Sequence, residues 1–214
     1  MMSQLGFVVL SALHSAAFAQ SEILHNVIGD DLAGTFAVLP LRESADGKLI
    51  ACGLEFSALT HDRSTKKGAP VKIVGSYYLR NYSVAGLGYS LKLAIYDGLT
   101  WTNPSPPHQA FVRSVRGPSS PTASRLLAET LGYALFFGPA YASINQVLTG
   151  IMDEGKLVVG FNRAPDQQDV VLTLDLYVED TQMVEDRVVR RRSPRMVEDF
   201  SVCVDELLSL QPKK

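Results

Sequence analysis

The sequence predicts a mainly β protein: an antiparallel β-sandwich carrying two short α-helices, with an α+β arrangement as the alternative. Apolar and polar residues alternate with period two through the first half of the chain that follows an apolar leader. Turn signals rich in Gly, Pro, Asp and Asn separate those runs. Apolar spacing of helical period is confined to two stretches, one after Pro139 and one after Ser193.

The chain opens on "LGFVVLSALHSAAFA", Leu5 to Ala19, an apolar run ending in the small-x-small pattern Ala17-Phe18-Ala19. This predicts a secretory signal peptide over residues 1–19, although the preceding "MMSQ" carries no Lys or Arg. A buried N-terminal helix and a membrane anchor are the alternatives. The run is shorter than the roughly 20 residues a span needs, and Gln20, Ser21 and Glu22 follow it directly. Residues 20–214 are then expected to form a single domain with no integral membrane span.

"GTFAVLPLRES" (Gly34 to Ser44) and "KLIACGLEFSALTHD" (Lys48 to Asp62) flank Asp46-Gly47, a hairpin turn signal. In the second strand Ile50, Cys52, Leu54, Phe56 and Ala58 share a face, so Cys52 is expected to point inward. "VKIVGSYYLR" and "YSLKLAIYDG" continue the pattern, the latter with Tyr89, Leu91, Leu93 and Ile95 on one side. One wet face of an antiparallel sheet reads this way.

"LTWTNPSPP" and "GPSSPTAS" are proline-bearing loops around a strand "HQAFVRSVR". Arg125 to Phe137 is ambiguous between helix and strand, with "GYALFFG" assigned to strand. Tyr141, Ile144, Val147, Leu148 and Ile151 then fall at helical spacing, terminated by Gly155. "KLVVGFNR" and "DVVLTLDLYV" form a hairpin about "APDQQ". Glu179 to Arg192 reads as a charged connector. A C-terminal helix over 194–208 starts from Ser193-Pro194, with Val197, Phe200, Val204, Leu207 and Leu208 as its buried stripe and Cys203 at its edge.

Both cysteines therefore approach the core of a chain expected to be exported. A Cys52–Cys203 disulfide would close a loop of about 150 residues; the chain-entropy model assigns such a loop roughly 4–5 kcal/mol. Two buried free thiols are the alternative.

Composition narrows the function without naming it. With 46% hydrophobic and 20% charged residues the chain is ordinary globular material. A net charge of -2 offers no electrostatic case for nucleic acid or anionic lipid. His25, His61 and His108 are isolated in sequence, and no nucleophile elbow, zinc motif or phosphate-cradling loop is present. No catalytic residue, metal ligand or cofactor is assigned. His61-Asp62 could orient or catalyse, but a solvated turn pair is the plainer reading. "GLGYS" lacks the helix context of a nucleotide site, and Asp166 and Asp169 near Asn162 lack calcium-loop spacing. Arg187, Arg190, Arg191, Arg192 and Arg195 form a basic cluster that could contact anions, but acidic neighbours make a solvated connector with local ion pairs the simpler expectation. Tyr77, Tyr78, Tyr82, Tyr96 and Trp101 could line a binding face, or pack in the sheet.

"SLKLAIYDG", "YASINQVLTGIMDEGKLVVGF", "DVVLTLDL" and "FSVCVDELL" follow one another in an order that resembles the bacterial invasion-associated locus B-like secreted proteins, over about Tyr89 to Leu208. The extra cysteines usual in that family are missing. The resemblance implies a β-sandwich exported by a Gram-negative bacterium, and it carries over no functional residues. The expectation for the chain is an exported, non-catalytic periplasmic or secreted protein that binds another envelope protein or a small ligand. A carrier of a small molecule or carbohydrate using loops near Trp101 is the second reading. A hydrolase whose dispersed residues His61, Asp62 or His108 meet only in the fold is the third.

Overall fold

A computed structural model describes residues 31–64, 68–82, 86–98, 102–120, 124–140 and 142–210. The expected signal peptide, His25, Trp101 and Tyr141 lie outside the described residues. The architecture is mainly β with antiparallel sheets and two helices, as the alternation predicts.

Strands β1 (Gly34–Ala45) and β2 (Lys48–Asp62) form the expected hairpin. Its turn places Asp46 at φ 50° and Gly47 at φ 74°, the left-handed pair that a two-residue hairpin needs. Next come β3 (Ala69–Tyr82), β4 (Gly86–Asp97), β5 (Gln109–Arg113), β6 (Ser124–Leu127) and β7 (Ala134–Pro139). Helix α1 (Ala142–Glu154) is followed by β8 (Lys156–Asn162), β9 (Val170–Asp175), β10 (Val178–Val184), β11 (Arg187–Arg192) and helix α2 (Arg195–Ser209).

Three sheets result: a six-stranded sheet β1-β2-β3-β4-β7-β6, a three-stranded sheet β5-β8-β9 and the hairpin β10-β11. The core lies between the inner face of the large sheet and a second layer made by the small sheet and both helices. Leu54, Phe56, Ile73, Leu79, Leu91 and Leu93 line the first side, and Val112, Leu157, Val159, Phe161, Ile144 and Phe200 the second. Full burial of such side chains contributes roughly 1.5–3 kcal/mol each.

Cys52 on β2 and Cys203 on α2 are joined, with sulfurs 2.07 Å and Cα atoms 5.8 Å apart. Helix α2 thereby docks on β1 and β2. Cys203 sits inside the buried stripe with Met196, Val197, Phe200, Val204 and Leu207 rather than at its edge, and Leu208, expected inside, is 42% exposed. Arg42 on β1 reaches Glu206 on the same helix at 2.5 Å. The helix begins one residue after Pro194, and the Ser193 hydroxyl accepts the Arg195 N–H at 3.1 Å.

The expected connector Glu179–Arg192 is instead a two-stranded hairpin, turning at Glu185 (φ 49°) and Asp186 (φ 61°). Tertiary bonds hold it against β1. The Thr181 hydroxyl donates to the Phe36 carbonyl at 2.8 Å, and the Arg190 guanidinium donates to the carbonyls of Leu32, Ala33 and Thr35 at 3.0, 2.8 and 3.2 Å. The ambiguous stretch 125–137 resolves into the paired strands β6 and β7. "DVVLTLDLYV" breaks after Asp175, where the Asp175 carboxylate accepts the Tyr177 N–H at 3.2 Å.

Candidate functional site

The face of the large sheet turned away from the core forms an open basin of about 580 Å³. Strand register explains which residues reach it. Leu39, Glu55, Ser76, Lys92 and Leu135 are successive partners across five strands, and Leu41, Gly53, Tyr78, Ser90 and Phe137 form the next row. Glu43, Ala51, Arg80 and Gly88 form the third. Thr130 and Tyr133, from the β6–β7 connection, wall one side.

Two glycines shape the floor. A Cβ at Gly53 would stand 2.5 Å from a Tyr78 ring carbon, and one at Gly88 would stand 2.7 Å from the Tyr82 ring. Both rings therefore run along backbone that carries no side chain, and both line the basin.

Charge in the basin is balanced but unevenly paired. Glu43 and Arg80 form an ion pair across the small Ala51. The Arg80 guanidinium also stands 5.8 Å from the Tyr78 ring centre. Glu55 and Lys92 have the same spacing, two strands apart with Ser76 between them. They do not close on each other. Lys92 turns away, its ammonium 4.8 Å from the Tyr133 ring centre and 3.1 Å from the Thr130 hydroxyl oxygen, to which it donates. Neither Glu55 nor Lys92 has an oppositely charged partner among the described residues.

The phenols report this environment. Burial first, then the charge of Glu43 and a hydrogen bond to it, push Tyr78 up to about 12, with Arg80 opposing and Glu55 adding to the rise. Tyr133 is raised by burial, by its contact with Tyr96 and by the Glu55 carboxylate. The Tyr96 and Tyr133 hydroxyl oxygens are 3.4 Å apart. Tyr82 is raised chiefly by burial, against a hydrogen bond with Ser90.

Of the aromatic residues singled out from sequence, Tyr78 and Tyr82 line the basin and Tyr96 supports its wall through Tyr133. Tyr77 does not belong with them: its side chain is fully buried on the inner face. Tyr133, Lys92 and Glu55 do not stand out from sequence as site residues. The signal for Glu55 and Lys92 lies in the polar parity of their strands, whereas nothing local points Tyr133 at the same face.

The pair His61-Asp62, expected as a solvated turn pair, forms the end of β2. Asp62 is fully buried, and Arg163 donates through Nε to its Oδ2 at 2.9 Å. Its Oδ1 accepts the Ser64 N–H and hydroxyl at 3.0 and 2.7 Å. Arg163 also donates to Asp97 at 2.5 Å, so this cluster ties the end of the small sheet to the ends of β2 and β4. His108 precedes β5, where its N–H donates to the Asn162 carbonyl at 2.8 Å. Asn162 donates to Asp169 at 2.9 Å, so these residues brace their own hairpin. Three arginines of the basic cluster form ion pairs, Arg191 with Glu179 at 2.7 Å, Arg192 with Asp175 at 2.5 Å and Arg195 with Asp199 at 3.5 Å, while Arg190 binds the carbonyls before and within β1. The ion pairs are the local pairing expected from the cluster's acidic neighbours. No helix of the described residues is long and apolar enough to cross a membrane.

Comparisons with known protein families, characterised proteins and solved structures gave no match to this chain.

Proposed function

We propose that the protein is an exported, non-catalytic binding protein, periplasmic or secreted, that takes a small ligand or an envelope partner on the outer face of its large sheet. The basin carries this reading. A sheet face that had only to be wetted would be covered by solvated side chains at every outward position. This one instead sets two tyrosine rings against glycine backbone and keeps a carboxylate and an ammonium that have no ionic partner among the described residues. A disulfide enclosed in the core supports an oxidising compartment, where such bonds form and persist.

Two measurements on protein recovered from its own host test the proposal. An intact mass beginning at Gln20, with two thiols alkylated only after reduction, is expected; an uncleaved chain with free thiols would remove the compartment. Photo-crosslinking from position 76, in the basin, is expected to trap an adduct that position 171, exposed on the small sheet, does not. Equal yields from both positions would remove the basin as the binding face.

A further inference from the structure

We propose that the basin is a saccharide site, binding a short oligosaccharide whose hydroxyls span the gap between Glu55 and Lys92, beside the Tyr78 and Tyr133 rings. The inference rests on the binding reading above and narrows its ligand class.

The gap carries the argument. Glu43 and Arg80 show that a carboxylate and a cation two strands apart on this face can meet, because the residue between them is small. Glu55 and Lys92 share that spacing, and Ser76 between them is also small, yet the two charges stay apart. Backbones separated by two strand spacings are roughly 10 Å apart, the span of a small molecule. One end of the gap is an acceptor, the Glu55 carboxylate, and the other a donor, the Lys92 ammonium. The Ser76 hydroxyl at the centre does both.

A ligand that bridges this sequence of groups must offer donors at one end and acceptors at the other. Sugar hydroxyls supply both from every position. Lys92 spends one N–H on Thr130 and keeps others for an incoming oxygen without leaving the Tyr133 ring. The charges of Glu43, Glu55, Arg80 and Lys92 cancel, so the basin selects neither an anion nor a cation. The Tyr78 and Tyr133 rings, each with a cation over it, give the gap an aromatic border against which the C–H groups of a sugar pack. The volume of about 580 Å³ suits such a ligand; ordinary ligand sites hold roughly 300–1,000 Å³.

The test is calorimetric titration with saturation-transfer NMR, using glucose-, mannose- and N-acetylglucosamine-based trisaccharides, with triglycine as a zwitterionic control and inorganic phosphate as an anionic one. At least one trisaccharide is expected to bind, with saturation transferred to its carbon-bound protons. Glu55→Gln, which keeps the side chain's shape on an exposed position, is expected to weaken binding about tenfold or more. Tyr78→Phe, which keeps the ring, is expected to retain most of it, and Tyr78→Ala to lose it. Binding of no trisaccharide, or binding that Glu55→Gln and Tyr78→Ala leave unchanged, overturns the proposal. If triglycine or phosphate binds instead and responds to Glu55→Gln, the ligand class is wrong while the basin stands as a binding face. If no probe binds and position 76 also traps nothing, both readings fall.

Discussion

Tyr77 and Tyr78 are neighbours in one strand and lead opposite lives. Tyr77 is wholly enclosed on the inner face, its hydroxyl without a hydrogen-bond partner, packed where Leu54 and Leu91 flank it across the sheet. Tyr78 packs against Gly53 on the outer face, bonded to Glu43 with Arg80 over its ring, and lines the basin. Identical chemistry one residue apart thus packs the core on one side and lines the basin on the other. The strand's pleat, not the residue type, assigns the role.

The inner face loses most when the disulfide is removed. Replacing Cys52 and Cys203 by Ala releases α2 from the inner face and opens a loop with a sequence separation of 151; the expected loss is about 4–5 kcal/mol by the chain-entropy model, read from urea denaturation. An unchanged midpoint would show that docking of α2 alone secures that layer.

Next in size is a paired substitution on adjacent residues of β2. Phe56→Ala empties a fully buried site and is expected to cost about 3–5 kcal/mol. Glu55→Ala, on the exposed side, is expected to change stability by less than about 0.5 kcal/mol. Similar costs for both would mean that the outer face is covered in the working protein.

A smaller effect separates the two tyrosines themselves. Tyr77→Phe removes a buried, unsatisfied hydroxyl and is expected to stabilise the fold by about 1 kcal/mol. Tyr78→Phe removes a hydroxyl bonded to Glu43 and is expected to be neutral or slightly destabilising. Thermal melts of the two variants, moving in opposite directions, would sharpen the contrast.

The least disruptive probe is alkaline titration followed by tyrosinate absorbance. A phenol raised in the fold binds its proton more tightly there than in the unfolded chain. Its contribution to stability is therefore full below the unfolded value near pH 10 and declines as pH rises toward the folded value, about 12 for Tyr78. Tyr77, Tyr82, Tyr89 and Tyr133 are shifted the same way. The native protein is expected to show delayed tyrosinate formation and to lose stability above pH 10, with Tyr78→Phe losing slightly less. Full ionisation of these phenols near pH 10 in a folded protein would contradict the packing described.

Much of the large sheet is legible in the sequence. β1 and β2 fall within one residue of the expected strands because Asp46-Gly47 marks their turn and alternation marks their faces. The hairpin β10-β11 is not legible there. Its turn residues, Glu185 and Asp186, are a weaker signal than a pair containing glycine, and the segment buries little. What makes it a hairpin is Arg190 and Thr181 finding the carbonyls of β1, more than 140 residues earlier, at 2.8–3.4 Å. The site is legible in part. Tyr78 and Tyr82 stand out as aromatic residues, but Tyr77 stands out equally, although the apolar parity of Val71, Ile73 and Leu79 already assigns it inward.

Periodicity and turn chemistry act over a few residues, so the strand alternation, the first hairpin, both helices and the inward face of Cys52 follow from local sequence. Only the tertiary structure decided that Cys52 meets Cys203, that Tyr133 walls the basin beside Lys92, and that Glu43 closes on Arg80 while Glu55 stays open. Those outcomes depend on strand order and register between segments distant in the chain, which no local pattern encodes.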